Sequence, residues 1–140
     1  MLSTIVQKLS SGRKVVLLHG NADPDALGSA YALYRAFPDT TVVALGGLDR
    51  LAKVMAINLE FDVMGSVDLD AFDVVVAVDS SSMEQVGIDL HGRDIVAIDH
   101  HAPCGDWDGA LFYCDESRRS CAEIVFEILK RAGTEVDQIG

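Results

Sequence analysis

The stretch Val15-Val16-Leu17-Leu18-His19-Gly20-Asn21-Ala22-Asp23-Pro24-Asp25-Ala26-Leu27-Gly28-Ser29 decides how the rest of the chain is read. It starts with a four-residue apolar run of the kind found in buried strands and breaks at a His-Gly-Asn turn. A proline then stands where helical spacing begins, with Leu27, Ala30, Tyr31 and Tyr34 marking one face until Pro38. Thr41 to Leu45 follows as a β-branched strand, so Val15 to Leu45 reads as a βαβ unit.

The same alternation extends in both directions. Upstream, Leu2, Ile5, Val6 and Leu9 recur at helical spacing and stop at Gly12. Downstream, Leu48, Leu51, Ala52 and Met55 mark one face of a further helix, and Phe61 to Met64 reads equally as a short strand or a loop. Val74 to Val78 and Asp94 to Ile98 are apolar enough to be strands buried on both faces, with one turn of helix between them at Met83 to Val86. Leu111 to Cys114 is a fifth strand. The last helix has a Ser120/Glu123 capping box, an apolar stripe of Cys121, Ile124, Val125, Ile128 and Leu129, and Gly133 as its stop. The expected fold class is α/β: a three-layer sandwich with a mainly parallel five-stranded sheet and helices on both faces.

Composition narrows the function. A chain of 140 residues, 49% hydrophobic, can bury one core, and no apolar run approaches a membrane span or the core of a signal peptide. Cys104, Cys114 and Cys121 are odd in number and lack C-x-x-C spacing, so three reduced thiols and a cytoplasmic location are expected. A net charge of −11 repels long polyanions and argues against duplex DNA as a partner through this surface.

Against that background the acids and histidines fall in register. His19, Asp23 and Asp25 follow the first strand, Asp79 follows Val74 to Val78, and Asp99, His100 and His101 follow Asp94 to Ile98. Carboxyl ends of parallel strands lie on one edge of the sheet, so the three groups converge where such folds bind ligands. Asp23, Asp25, Asp79 and Asp99 cannot share that edge as carboxylates unless cations balance them. Mixed carboxylate and imidazole donors without thiolate suit Mn²⁺, Fe²⁺, Co²⁺ or Zn²⁺; hard oxygen donors favour Mn²⁺ or Mg²⁺, and the imidazoles favour Mn²⁺ of those two. Each residue also has an ordinary reading, as a solvated histidine or a turn-capping aspartate, which the joint placement outweighs. Cys104 has no second thiolate at zinc-ligand spacing.

Taken in order, the His19 to Ser29 run, Val78-Asp79-Ser80, Asp99-His100-His101 and Ser120-Cys121-Ala122-Glu123 resemble the motifs of DHH phosphoesterases over about Val15 to Leu129. That family includes RecJ-type exonucleases, nanoRNases, cyclic-dinucleotide phosphodiesterases, family II inorganic pyrophosphatases and exopolyphosphatase-related enzymes. The resemblance implies a hydrolase of phosphodiester or phosphoanhydride bonds that uses two Mn²⁺ ions, with Mg²⁺ or Co²⁺ as alternatives. His19 and Asp23 would hold one ion, Asp25 and His100 the second, and Asp79 would bridge them. Asp99 would orient the histidines, and His101 would touch the substrate phosphate. Gly28 and Ser29 would let the helix start approach closely, with Ser29 as a substrate contact; apart from the resemblance, Arg118 stands where positive charge opposes the dipole of the last helix and reads either as a phosphate contact or as a solvated turn residue.

The substrate class is a small phosphorylated molecule: a short single-stranded oligonucleotide, a cyclic dinucleotide, an adenosine bisphosphate or a polyphosphate. A homodimer is allowed. The alternative function is a non-catalytic module of the same family that binds nucleotide or protein, which predicts eroded ligands. In the family a further Asp ligates the second metal beyond the last helix, where this chain has Asp137, and a glycine-rich C-terminal domain covers the metals. Residues 1–140 are therefore expected to form the metal-binding domain of a longer enzyme, with the substrate domain absent and turnover weak.

Overall fold

A computed structural model of the chain describes residues 2–105, 107 and 109–133. The elements are α1 (Leu2–Leu9), β1 (Lys14–Leu18), α2 (Pro24–Ala36), β2 (Thr40–Ala44), α3 (Arg50–Asn58), β3 (Val74–Val78), α4 (Met83–Val86), β4 (Ile95–Asp99), β5 (Leu111–Cys114) and α5 (Cys121–Ala132). A 3-10 turn at Leu69–Ala71 leads into β3. The five strands pair in parallel throughout, in the order β2-β1-β3-β4-β5. Strand order reverses between β1 and β3, and the crevice at their carboxyl ends is where open α/β sheets place ligands.

Alternation along the strands divides the core in two. Val16, Leu18, Val76, Val78, Val96 and Ile98 face α1, α2 and α5, and this larger cluster holds Ile5, Leu27, Ile124 and Leu129. Val15, Leu17, Val75, Ala77, Ile95 and Ala97 face the other way, onto Val86 of α4, Leu90 and Trp107. The second face is thinly clad, because a one-turn helix, the 3-10 turn and loops stand where a doubly wound sheet usually has full helices.

Local chemistry sets the helix starts. Asp23 caps α2 by accepting from the Ala26 N–H at 2.9 Å, with Pro24 at the first position where its missing N–H costs nothing. Asp49 caps α3 through the Ala52 N–H at 2.8 Å. That cap moves the helix start past Leu48, which instead bridges Ala22, and turns Leu51 outward. The buried side of α3 is Ala52 and Ala56, with Met55, Leu59 and the preceding Leu48 packed beside them, so Leu51 alone of the expected face is corrected. The ambiguous Phe61 to Met64 stretch is a loop whose Met64 makes one bridge to Val43 on the sheet edge.

The thiol expectation is also corrected. Cys104 and Cys114 form a disulfide, with Cα atoms 6.0 Å apart, and Cys121 alone is free and buried. Spacing in sequence missed the pair because the chain after Cys104 doubles back into β5, whose last residue is Cys114. The disulfide removes the cysteine argument for a cytoplasmic location. Among the described residues no helix is long and apolar enough to cross a membrane.

Candidate metal centre

β1, β3 and β4 end side by side, and the residues that follow them form the site. Asp79 leaves β3 with φ 62°, a left-handed conformation that costs a non-glycine residue energy, and only 5% of its surface is exposed. His100 approaches it with Nε2 3.5 Å from Asp79 Oδ1 and 3.6 Å from Asp25 Oδ2. His101 presents its own Nε2 at 3.8 Å from the same Asp79 oxygen. One ligand atom from each of Asp79, His100 and His101 lies within 4.8 Å of the others. The two imidazoles are 4.5 Å apart between centroids, so adjacency in sequence does not keep them from facing one carboxylate.

Behind these groups runs a hydrogen-bonded chain. Asp99 has no exposed surface; its Oδ1 is 2.6 Å from His101 Nδ1, and its Oδ2 accepts from the Ser81 hydroxyl at 3.1 Å. Asp99 thus links His101 on one side to Ser81 on the other. Sequence reasoning passed over Ser81; its position two residues after Asp79 was the available signal. The loop after β4 holds the same segment: Trp107 donates its indole N–H to the Ser80 carbonyl at 3.0 Å. A side chain at Gly105 would meet the Ser81 carbonyl oxygen at 2.0 Å, so only glycine fits that crossing.

Asp25 has a second task. Both its oxygens accept backbone N–H groups at the start of α5, from Cys121 and Ala122 at 3.0 Å each. Ser120 Oγ takes the Glu123 N–H at 3.3 Å, and Glu123 Oε1 takes that of Arg119 at 3.1 Å, so the capping box reaches one residue further back than expected. His19 and Asp23 lie on a loop fastened to the one after β2: Ala22 donates to the Gly47 carbonyl and Asp49 to the Ala22 carbonyl. Both stand outside the tight Asp79–His100–His101 group, although Asp23 bears electrostatically on Asp79.

Two expected substrate contacts sit elsewhere. Ser29 has no exposed surface and its hydroxyl is bonded to the Asp25 carbonyl at 2.8 Å, so its role is corrected to a structural one within α2. Arg118 faces Asp115, Glu123 and Glu127 at 3.4, 3.9 and 3.8 Å, an acidic cluster at the start of α5. Asp137 lies outside the described residues.

Electrostatically the site lacks positive charge. Burial, then the nearby Asp25 and Asp23 carboxylates, push the Asp79 carboxyl up to about 7, and its Oδ1 has no hydrogen-bond partner. Burial of His101 works against its charged form, but the hydrogen bond to Asp99 and the charges of Asp99, Asp79 and Asp25 outweigh it and raise the imidazole above its usual value. Burial holds the Cys121 thiol protonated, which leaves oxygen and imidazole as the donors here. A buried carboxylate with an unpartnered oxygen, facing two imidazoles among further acids, fits a divalent cation.

Fold and site together make this a parallel α/β domain with an acid–imidazole cluster, able to hold a metal ion, at the carboxyl edge of its sheet. The family follows from the comparisons: residues 13–139 match the DHH family, N-terminal domain, and the chain belongs to that family. Two uncharacterised Methanocaldococcus jannaschii proteins are similar in sequence: MJ1633, 32% identical over 62% of this chain, and MJ0988, 29% identical over 90% of it. The fold matches the crystal structure of a Methanococcus jannaschii protein provisionally assigned as a family II inorganic pyrophosphatase, with a TM-score of 0.67, 25% identity and 91% of this chain covered. The chain spans 20% of MJ1633, 41% of MJ0988 and 41% of the crystallised protein.

Proposed function

We propose that this domain supplies the metal centre of a Mn²⁺-dependent hydrolase acting on phosphodiester or phosphoanhydride bonds of small substrates. The observation that carries the reading is Asp79: a buried carboxyl with an unpartnered oxygen, crowded by acids and facing both histidines of the Asp-His-His triplet. Family membership and the fold likeness support a phosphoesterase-like activity. His19 and Asp23 would hold one cation, Asp25 and His100 a second, and Asp79 both, with Mg²⁺ or Co²⁺ as possible substitutes. Bound divalent cations supply Lewis-acid polarisation of phosphoryl oxygens and a more acidic water.

The chain's own groups do the rest. Asp99 fixes His101 through Nδ1, so Nε2 is the atom that points into the site. With its affinity for a proton raised by the surrounding carboxylates, His101 can donate from Nε2 to a phosphoryl oxygen as negative charge builds there. Asp25 ties the site to the start of α5, so cation binding and helix packing share one carboxylate.

The test is hydrolysis of a panel of pyrophosphate, polyphosphate, a short oligonucleotide, a cyclic dinucleotide and an adenosine bisphosphate, with and without Mn²⁺. Turnover should vanish with a chelator and return with Mn²⁺. His101→Ala should lower kcat by roughly 10²–10³-fold while Mn²⁺ stoichiometry holds. Hydrolysis indifferent to the chelator would refute the proposal.

A further inference from the structure

The disulfide closes the turn that carries both histidines into a small ring. From Asp99 at the end of β4 the chain runs through His100 and His101 to Cys104, crosses through sulfur to Cys114, and Cys114 pairs in the sheet with Asp99 itself. The Asp115 N–H donates to the Asp99 carbonyl at 3.1 Å and holds that side of the ring. The other side has little besides the covalent bond. His101, Ala102, Pro103 and Cys104 are four consecutive exposed residues, and β5 is an edge strand with no buried residue. Apart from the disulfide, the Cys104 end is tied by its N–H, donated to the exposed Glu116 carboxylate at 2.6 Å, a bond for which water competes. Cys104 is exposed and Cys114 half-buried, so a thiolate can reach the bond from the Cys104 side. Cys121 is buried with its thiol held protonated, and stays out of any exchange.

We propose that Cys104–Cys114 is a thiol–disulfide switch on the metal centre: the His100–His101 turn is held in place when the pair is oxidised and loosened when a dithiol reduces it. The exchange takes two displacements. The donor's first thiolate attacks Cys104 Sγ, forming a mixed disulfide and releasing Cys114 as a thiolate that takes up a proton; its second thiol then displaces Cys104. The donor leaves as its own disulfide, two electrons have passed to the pair, and the donor's two thiol protons are balanced by those on Cys104 and Cys114. Contacts inside the disulfide-closed loop carry the change inward. Trp107 lies between the two cysteines with its indole N–H on the Ser80 carbonyl, and Gly105 crosses the Ser81 carbonyl. Ser80 and Ser81 directly follow Asp79, so opening the ring loosens the support behind that carboxylate together with the two imidazoles. The effect on Mn²⁺ rests on the proposed hydrolase reading, whereas the ordering of the turn does not.

The chain has a single tryptophan, so Trp107 emission reports on this loop alone. The 140-residue chain is measured oxidised, then reduced with dithiothreitol and desalted without oxygen, then reoxidised with oxidised glutathione. Reduction without denaturant should red-shift the emission and open it to acrylamide quenching, leave the far-ultraviolet circular dichroism in place, and be undone by reoxidation. Mn²⁺ affinity should fall about 10–100-fold on reduction, the size of effect seen when the support behind a metal-bound histidine is lost. Cys104→Ser should match the reduced protein with no reagent present. A disulfide that yields only in denaturant would overturn the inference, as would the same Trp107 emission in both states or Mn²⁺ bound equally by both. A reversible emission shift with no Mn²⁺ bound by either state would instead contradict the proposed function and leave the switch of the turn standing.

Discussion

At Asp79 backbone and charge are both under strain: φ is 62°, one carboxylate oxygen has no partner, and the carboxyl holds its proton up to about pH 7. Asn tolerates the left-handed region better than most residues and carries no charge. Asp79→Asn should therefore raise the unfolding temperature of the metal-free protein at pH 8, by about 1–3 kcal/mol or on the order of 3–10 °C. The sign follows from linkage. A carboxyl whose folded value is raised is fully tolerated below its unfolded value near 4, and stability is lost as pH climbs through about 7. Calorimetry across pH should show the variant's advantage absent at pH 4 and complete above 7; a variant less stable than wild type at pH 8 contradicts this. At Ser81, loss of the hydroxyl leaves Asp99 short of one donor and His101 less firmly aimed. Ser81→Ala should lower kcat more than it raises KM, and Ser81→Thr should restore it; equal kcat for Ala and wild type would mean that Ser81 only fills space.

Among the elements, α2 and α5 were readable because their ends carry explicit chemistry: an aspartate before a proline in one, Ser120 and Glu123 in the other. α3 was readable in part: Ala52 and Met55 fell on the core side as expected and Leu51 did not, since apolar residues occupy nearly its whole circumference and periodicity alone could not fix the edge of the buried face. Asp25 shows a second limit. Sequence marks it as a ligand, whereas the structure gives both oxygens to the N-terminus of α5, ninety-six residues away. Asp25→Ala should then cost the metal-free protein about 1–2 kcal/mol, the size of a lost charged cap, the opposite sign to Asp79→Asn. Thermal unfolding of the two variants side by side checks it; stabilisation by both would mean that Asp25 is simply another unbalanced acid.

For the molecule as a whole, the convergence of Asp25, Asp79 and His100 was legible because a parallel sheet puts every strand's carboxyl end on one edge, whatever the order of the strands. Details set by non-local folding were hidden. The Cys104–Cys114 pairing and the Trp107 contact with Ser80 depend on how the loop after β4 returns to the sheet, which no periodicity records. The thin second face was legible in part: the single turn at Met83 to Val86 was read from the sequence, whereas the 3-10 turn at Leu69–Ala71 was too short to announce itself. The central claim is that the edge built on Asp79 is a divalent-cation site, and calorimetric titration of Mn²⁺ into the metal-free protein, with Asp79→Asn beside it, tests it most directly. Wild type should bind Mn²⁺, with the affinity for the first ion rising about tenfold per pH unit up to pH 7 as the single Asp79 proton leaves, and Asp79→Asn should show no binding heat. Equal titration curves for the two proteins, or no binding by wild type at pH 8, would contradict the account.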